Sequence, residues 1–221
     1  MSNFKHSGKW EIREGNVSVE RSAGQTEASP LVRSILQCRL CADRFAATAT
    51  AHSPRPVPWF NPAARLLIAG QAPGLRVHES GRPFTDASGD RLRDWLGLNE
   101  AQFYDRNQVA IVPMAFCFPG YHAKKSDLPP PKICAQTWHE QVMAALPNVT
   151  LRVIVGGAAH RWHLGAKTSV TETVQGWRAH APQCYPLPHP SWRNTAWIKK
   201  HPWFEAELLP DLRARVKELM E

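Results

Sequence analysis

Two short motifs hold side chains that could act on a substrate. The first is Gly70-Gln71-Ala72-Pro73-Gly74, followed by Gly81-Arg82-Pro83-Phe84 and then Ser88-Gly89. The second is Pro188-His189-Pro190-Ser191, continued by Trp192-Arg193-Asn194. A histidine set between prolines can donate a hydrogen bond to a developing negative charge. A carboxamide such as Gln71 can orient water or read a polar edge, but it cannot act as a general base. Phe84 offers a face on which a flat ring can stack. Four cysteines form a third constellation. Cys38 and Cys41 are a C-x2-C pair, and Cys117 and Cys134 are separated by sixteen residues. Thiolates suit an iron–sulfur cluster or zinc, and spacing alone leaves both open, along with no metal at all. Cys184 is left over and reads as a small buried apolar side chain.

These motifs need elements to hold them. The apolar run at residues 65–70 reads as a strand that delivers the Gly70 loop at its carboxyl end, where open α/β sheets build their sites. Further strands are expected at 109–114, at 151–155 running into Gly156-Gly157, and at 184–187 running into His189. Helices are expected at 31–45, 88–98, 135–146 and 158–163, with Ser88 as the cap of the second. An amphipathic helix at 204–220 closes the chain, and Pro210 should kink it or mark its true start. Residues 51–62 and 118–132 read as long loops. Strands alternating with helices imply a three-layer α/β/α sandwich around a mainly parallel four-stranded sheet. Residues 1–29 are poor in large apolar side chains and read as an N-terminal arm, with one domain over 30–221.

Composition narrows the partner. The formal charge is +8, the basic residues are dispersed, and there are nine tryptophans. A basic chain rich in aromatics points to a polyanion, with nucleic acid the first candidate and an ordinary basic protein the alternative. No stretch approaches the length of a membrane span, and the amino terminus lacks a signal-peptide core, so a cytoplasmic protein is expected. In that compartment five cysteines favour metal or redox chemistry over disulfides.

The two motifs, in this order and with four such cysteines, resemble the uracil-DNA glycosylase superfamily. The most similar branch is the thermophile-type one that carries an iron–sulfur cluster, and the likeness covers residues 31–200. The resemblance implies a monofunctional DNA glycosylase that removes uracil and leaves an abasic site, since no catalytic lysine stands in either motif. It implies that Phe84 is the stacking platform and that His189 donates to the oxygen of the leaving base. It implies a [4Fe–4S] cluster on Cys38, Cys41, Cys117 and Cys134, with zinc or no metal as alternatives. Ser88 and Ser191 are expected on phosphate oxygens, and Trp192 or Arg193 as a wedge in the vacated base stack. Arg193, Lys199 and Lys200 would add salt-sensitive affinity.

The sequence departs from that branch at two positions. Gln71 stands where a glutamate is usual. Pro113, placed by the following Cys117, stands where an asparagine commonly reads the uracil edge. Reading the base then falls to Gln71, to backbone groups beside Ala72, or to Asn194. The alternatives are a glycosylase for other deaminated bases and a non-catalytic, tight-binding protein for damaged DNA. The partner expected is uracil-containing DNA, with the protein acting as a monomer.

Overall fold

The computed structural model describes residues 29–123 and 126–221. The arm expected at residues 1–29 lies outside the described residues up to Ser29. In chain order the elements are α1 (Pro30–Leu36), α2 (Ala42–Ala46), β1 (Leu66–Ala69), α3 (Leu75–Ser80), α4 (Ala87–Leu96), α5 (Glu100–Tyr104) and β2 (Val109–Ile111). There follow α6 (Lys132–Ala144), β3 (Leu151–Val155), α7 (Gly157–His163), α8 (Val170–Gln175), β4 (Cys184–Leu187), α9 (Thr195–Lys200) and α10 (Leu209–Met220).

The four strands form one sheet in the order β2-β1-β3-β4, and every pairing is parallel. Helices cover both faces, so strand residues are buried on both sides and the strands read as continuous apolar runs. On one face Leu66, Ile68, Ile111 and Val153 pack with Leu92 and Trp95 of α4 and Leu212 and Val216 of α10. On the other, Leu67, Ala110 and Val112 pack with Ile35 of α1 and Val142 of α6. The expected three-layer sandwich is therefore present, with an all-parallel sheet. No helix among the described residues is long and apolar enough to cross a membrane.

Several local expectations need correction. The helix expected over 31–45 is two helices, because the chain leaves α1 at Gln37 and turns through the Cys38–Cys41 pair before α2. Ser88 is not a cap. Asp86 caps α4 by accepting from the Gly89 N–H at 3.2 Å, and Ser88 falls in the first turn. Pro210 marks a true start: Phe204–Leu208 is a π-helical turn, and α10 begins as Pro210 takes a first-turn position. The ladder between β1 and β2 continues past the strands, for Met114 N–H donates to Gly70 O (2.9 Å) and Ala115 N–H to Gln71 O (3.2 Å). The long loop after β2 folds on itself through a bridge between Tyr121 and Asp127.

One glycine sets how closely two motif segments approach. A methyl group on Gly89 would lie 1.9 Å from the Phe84 carbonyl oxygen. Only a glycine lets the first turn of α4 press against the Phe84 backbone. Gly89→Ala is expected to destabilise the fold by about 1–3 kcal/mol, as overpacking against backbone does. Denaturant melts of the two proteins would measure it.

Three histidines sit in the helical layer beside the sheet. His139 Nε2 meets Pro113 O at 2.9 Å, and His160 Nε2 meets Ile154 O at 3.0 Å. Burial holds the pKa of both below the ordinary imidazole range. His163 is pushed down to about 4 by burial, with His139 and Arg152 adding repulsion. The unfolded chain takes up these protons below about pH 6.5, while the folded chain resists them. The stability they lend is whole above that pH and is lost as pH falls toward 4. Denaturant melts at pH 8, 6 and 5 should show declining stability, with a shallower decline in His163→Gln.

Candidate active site

Parallel strands put all their carboxyl ends on one side, and the strand order reverses direction between β1 and β3. That is the switch point at which open α/β sheets leave a crevice. The loop after β1 carries Gln71, the loop after β3 begins at Gly156, and the loop after β4 carries His189. Gly156 has φ +82° and donates its N–H to Leu187 O at 2.9 Å. A methyl group on it would stand 3.9 Å from Gln71 Oε1 and 3.9 Å from His189 Cβ. The two motifs, 118 positions apart between Gln71 and His189, thus meet at one bare backbone position.

The His189 ring is oriented from its own loop. Ser191 N–H donates to Nδ1 at 3.2 Å, so Nδ1 is the acceptor and the proton of the neutral ring belongs on Nε2. Burial lowers the His189 pKa, and the charges of Asp86 and Asp127 act against it. The ring is therefore a neutral donor near pH 7. Its Nε2 has no protein partner among the described residues, and neither does the Gln71 carboxamide. Both are free to meet a ligand.

Asn194 also fastens the loop: its Nδ2 donates to His189 O at 2.7 Å, leaving Oδ1 and the second Nδ2 proton for a base. Arg91 of α4 reaches the same loop, donating to Ser191 O (3.0 Å) and to Thr195 Oγ1 (3.2 Å). Ser191 Oγ accepts from Arg193 N–H (3.3 Å) and keeps its own proton for an outside acceptor. Trp192 is 72% exposed, an unusual position for so large an apolar side chain, and Arg193 is exposed beside it. Lys199 and Lys200 are exposed at the end of α9. Ser88 is half-buried in the first turn of α4.

Phe84 is held beside the loop after β1. Its ring lies against Gly70, where an added methyl would be 3.6 Å from Cζ. Its φ is +53°, a left-handed value that a bulky residue adopts only under constraint. The constraint is visible. Tyr104 Oη lies 2.8 Å from Pro83 O and 3.0 Å from Phe84 O, and shares its proton between them. Burial raises the Tyr104 pKa, which keeps that donor protonated. The Arg82 guanidinium sits 3.5 Å above the Tyr104 ring and pairs with Glu100 at 2.9 Å. Ala72 is half-buried in the Gln71 loop. Pro113 is buried beside that loop, its carbonyl taken by His139.

The four motif cysteines line one pocket together with Phe45, Pro54, Ala115 and Trp138, and no carboxylate or histidine joins them. Burial and mutual repulsion push Cys117 up to about 12, and burial raises Cys134 to about 11. Among the described residues no group of three or more His, Cys, Asp or Glu side chains is placed to hold a metal ion. Cys184 is buried in the sheet, away from this group.

Sequence reasoning missed Tyr104, Arg91 and the role of Gly156. Gly156 ended an apolar run and carried a readable signal; the other two act through contacts that no local pattern encodes.

Residues 57–213 match the family model described as the uracil DNA glycosylase superfamily. The match takes in all four strands, Gln71, Phe84, His189, Cys117 and Cys134, and begins after Cys38 and Cys41. Spanning well over half the chain and both loops of the crevice, it places this protein within the uracil DNA glycosylase superfamily.

Proposed function

We propose that this protein is a monofunctional DNA glycosylase that hydrolyses the N-glycosidic bond of deoxyuridine in DNA. The observation that carries the reading is the meeting of Gln71 and the His189 loop at Gly156, with Phe84 packed on the adjoining Gly70. Excision requires a nucleotide to leave the stack and enter a pocket that grips its face and edge. Phe84 supplies the face, with stacking worth about 1–3 kcal/mol. As the C1′–N1 bond breaks, its electron pair passes to the base and an oxocarbenium-like sugar remains. His189 Nε2–H donates to the base oxygen on which charge gathers, a contribution of roughly 2.7–4 kcal/mol to the barrier. Water then adds to C1′ and gives up a proton, and the base anion is protonated as it departs. Gln71 holds that water or the base edge through its carboxamide, with Ala72 backbone groups beside it. Ser88, Ser191 and the exposed Arg193, Lys199 and Lys200 engage phosphates, and Trp192 enters the gap left by the flipped base.

A second reading has its own support. Pro113 offers no side-chain donor, its carbonyl is occupied by His139, and Gln71 replaces a carboxylate. The pocket then favours no single base edge strongly, and other deaminated bases become substrates. Duplex and single-stranded oligonucleotides carrying one uracil, hypoxanthine or xanthine, treated with protein and then alkali, test both. Strand breakage at uracil supports the first reading, and breakage at the others the second. Binding without breakage would replace both with a damage-binding protein. His189→Ala is expected to lower excision about 100- to 1000-fold, and an unchanged rate would remove His189 from the mechanism.

Cys38, Cys41, Cys117 and Cys134 are the residues that would hold a [4Fe–4S] cluster. An all-thiol pocket with apolar neighbours suits such a cluster. The same four thiolates are also a ligand set that zinc accepts, with sulfurs about 2.3 Å from the metal. The bound cluster would supply a cross-link between the α1–α2 turn, the loop after β2 and the first turn of α6. Ligation must displace thiol protons, so uptake should weaken as pH falls. Purified protein should contain about four irons and four sulfides per chain, and Cys38→Ser should lose them. One zinc, or no metal, would overturn this assignment.

A further inference from the structure

We infer that Arg91 is the positioning residue that locks His189 in its donor tautomer. This rests on the glycosylase reading of the same pocket. Arg91 is the side chain of α4 that reaches the loop after β4. It donates from Nη1 to Ser191 O at 3.0 Å and from Nη2 to Thr195 Oγ1 at 3.2 Å. Two donors fixed in one plane on acceptors four residues apart restrain the turn between them. That turn decides the state of His189. The Ser191 N–H, at the other end of the residue whose carbonyl Arg91 grips, is the group that donates to His189 Nδ1. If the Ser191 residue rotates, that donor swings away, and the proton is free to sit on either ring nitrogen. The fraction of rings presenting Nε2–H to the base then falls. Asn194 holds the His189 carbonyl but leaves the ring free to choose its tautomer.

The same guanidinium links the two halves of the pocket. Helix α4 starts at Ala87, three residues after Phe84, and presses Gly89 on the Phe84 carbonyl. Arg91 is half a turn further along. The platform and the donor are therefore referenced to one helix as well as to the sheet.

Two roles for this arginine make different demands on experiment. A phosphate contact would raise KM when removed and reduce the salt slope of binding by about one. A positioning residue acts on turnover. Arg91→Ala is expected to lower kcat for uracil excision about 10- to 100-fold, the effect of a small misplacement of a reacting group. KM and the salt slope should hold within about twofold. Arg91→Lys, which cannot span both acceptors, should fall between. Nitrogen-15 NMR of His189 gives a readout independent of activity: one tautomer with the proton on Nε2 in the parent, and a mixture in Arg91→Ala. A kcat within twofold of the parent with a single tautomer would overturn the inference. So would a raised KM with a reduced salt slope at unchanged kcat. If the parent excises no uracil, the functional reading fails, and the NMR comparison alone decides the role of Arg91.

Discussion

The parallel pairing of β1 with β3 is the constraint on which the site depends. Their register, Leu66 with Leu151 through Ala69 with Ile154, ends both strands at the same level. The chain must leave both at one edge, and Gly156 lets the loops close without a side chain between them. Pairing of β3 with β4 brings the His189 loop to the same level. The crevice is thus a product of hydrogen-bonded ladders buried on both faces, and no loop has to find its place alone. This is a rigid mounting, suited to a reaction in which a donor must face charge that exists only in passing.

Polar satisfaction completes the geometry. Around His189, loop donors meet the acceptors in turn: Ser191 N–H on the ring, Asn194 Nδ2 on the His189 carbonyl, and Arg91 together with the Asn194 backbone N–H on the Ser191 carbonyl. What stays unsatisfied there includes Nε2, the Gln71 carboxamide, Asn194 Oδ1 and the Ser191 hydroxyl proton. That leaves the capacity for hydrogen bonding where a base would enter. Nε2 and the carboxamide carry no formal charge near pH 7, and Asp86 and Asp127 are the carboxylates whose charges reach the His189 ring.

The sheet was legible because its strands are short apolar runs that end in glycine or proline. The motif loops were legible because residue types and order carry them. The short helices were harder. Helices α5 and α8 open with capping boxes, Asn99 with Gln102 and Ser169 with Glu172, which a closer reading of the sequence could have used. Helix α3 has no capping side chain at all, since Gly74 serves. The cap of α4 is Asp86, two positions before Ser88, and the two residues are equally suited by type. Tyr104 and Arg91 were beyond local reading. Each acts across a sequence gap, 20 and 100 residues, through a bond to backbone that any residue could have provided.

Phe84 bears a further consequence. Its left-handed backbone is maintained from outside the crevice, by the Tyr104 hydroxyl in α5 and by the bare face of Gly89 in α4. The tilt of the Phe84 ring is therefore governed by residues outside the crevice. Drift in substrate range within such a scaffold can begin in its outer helices, with every pocket-lining side chain left as it was. Tyr104 is such a control point, with no bond to the His189 loop or to the Gln71 carboxamide.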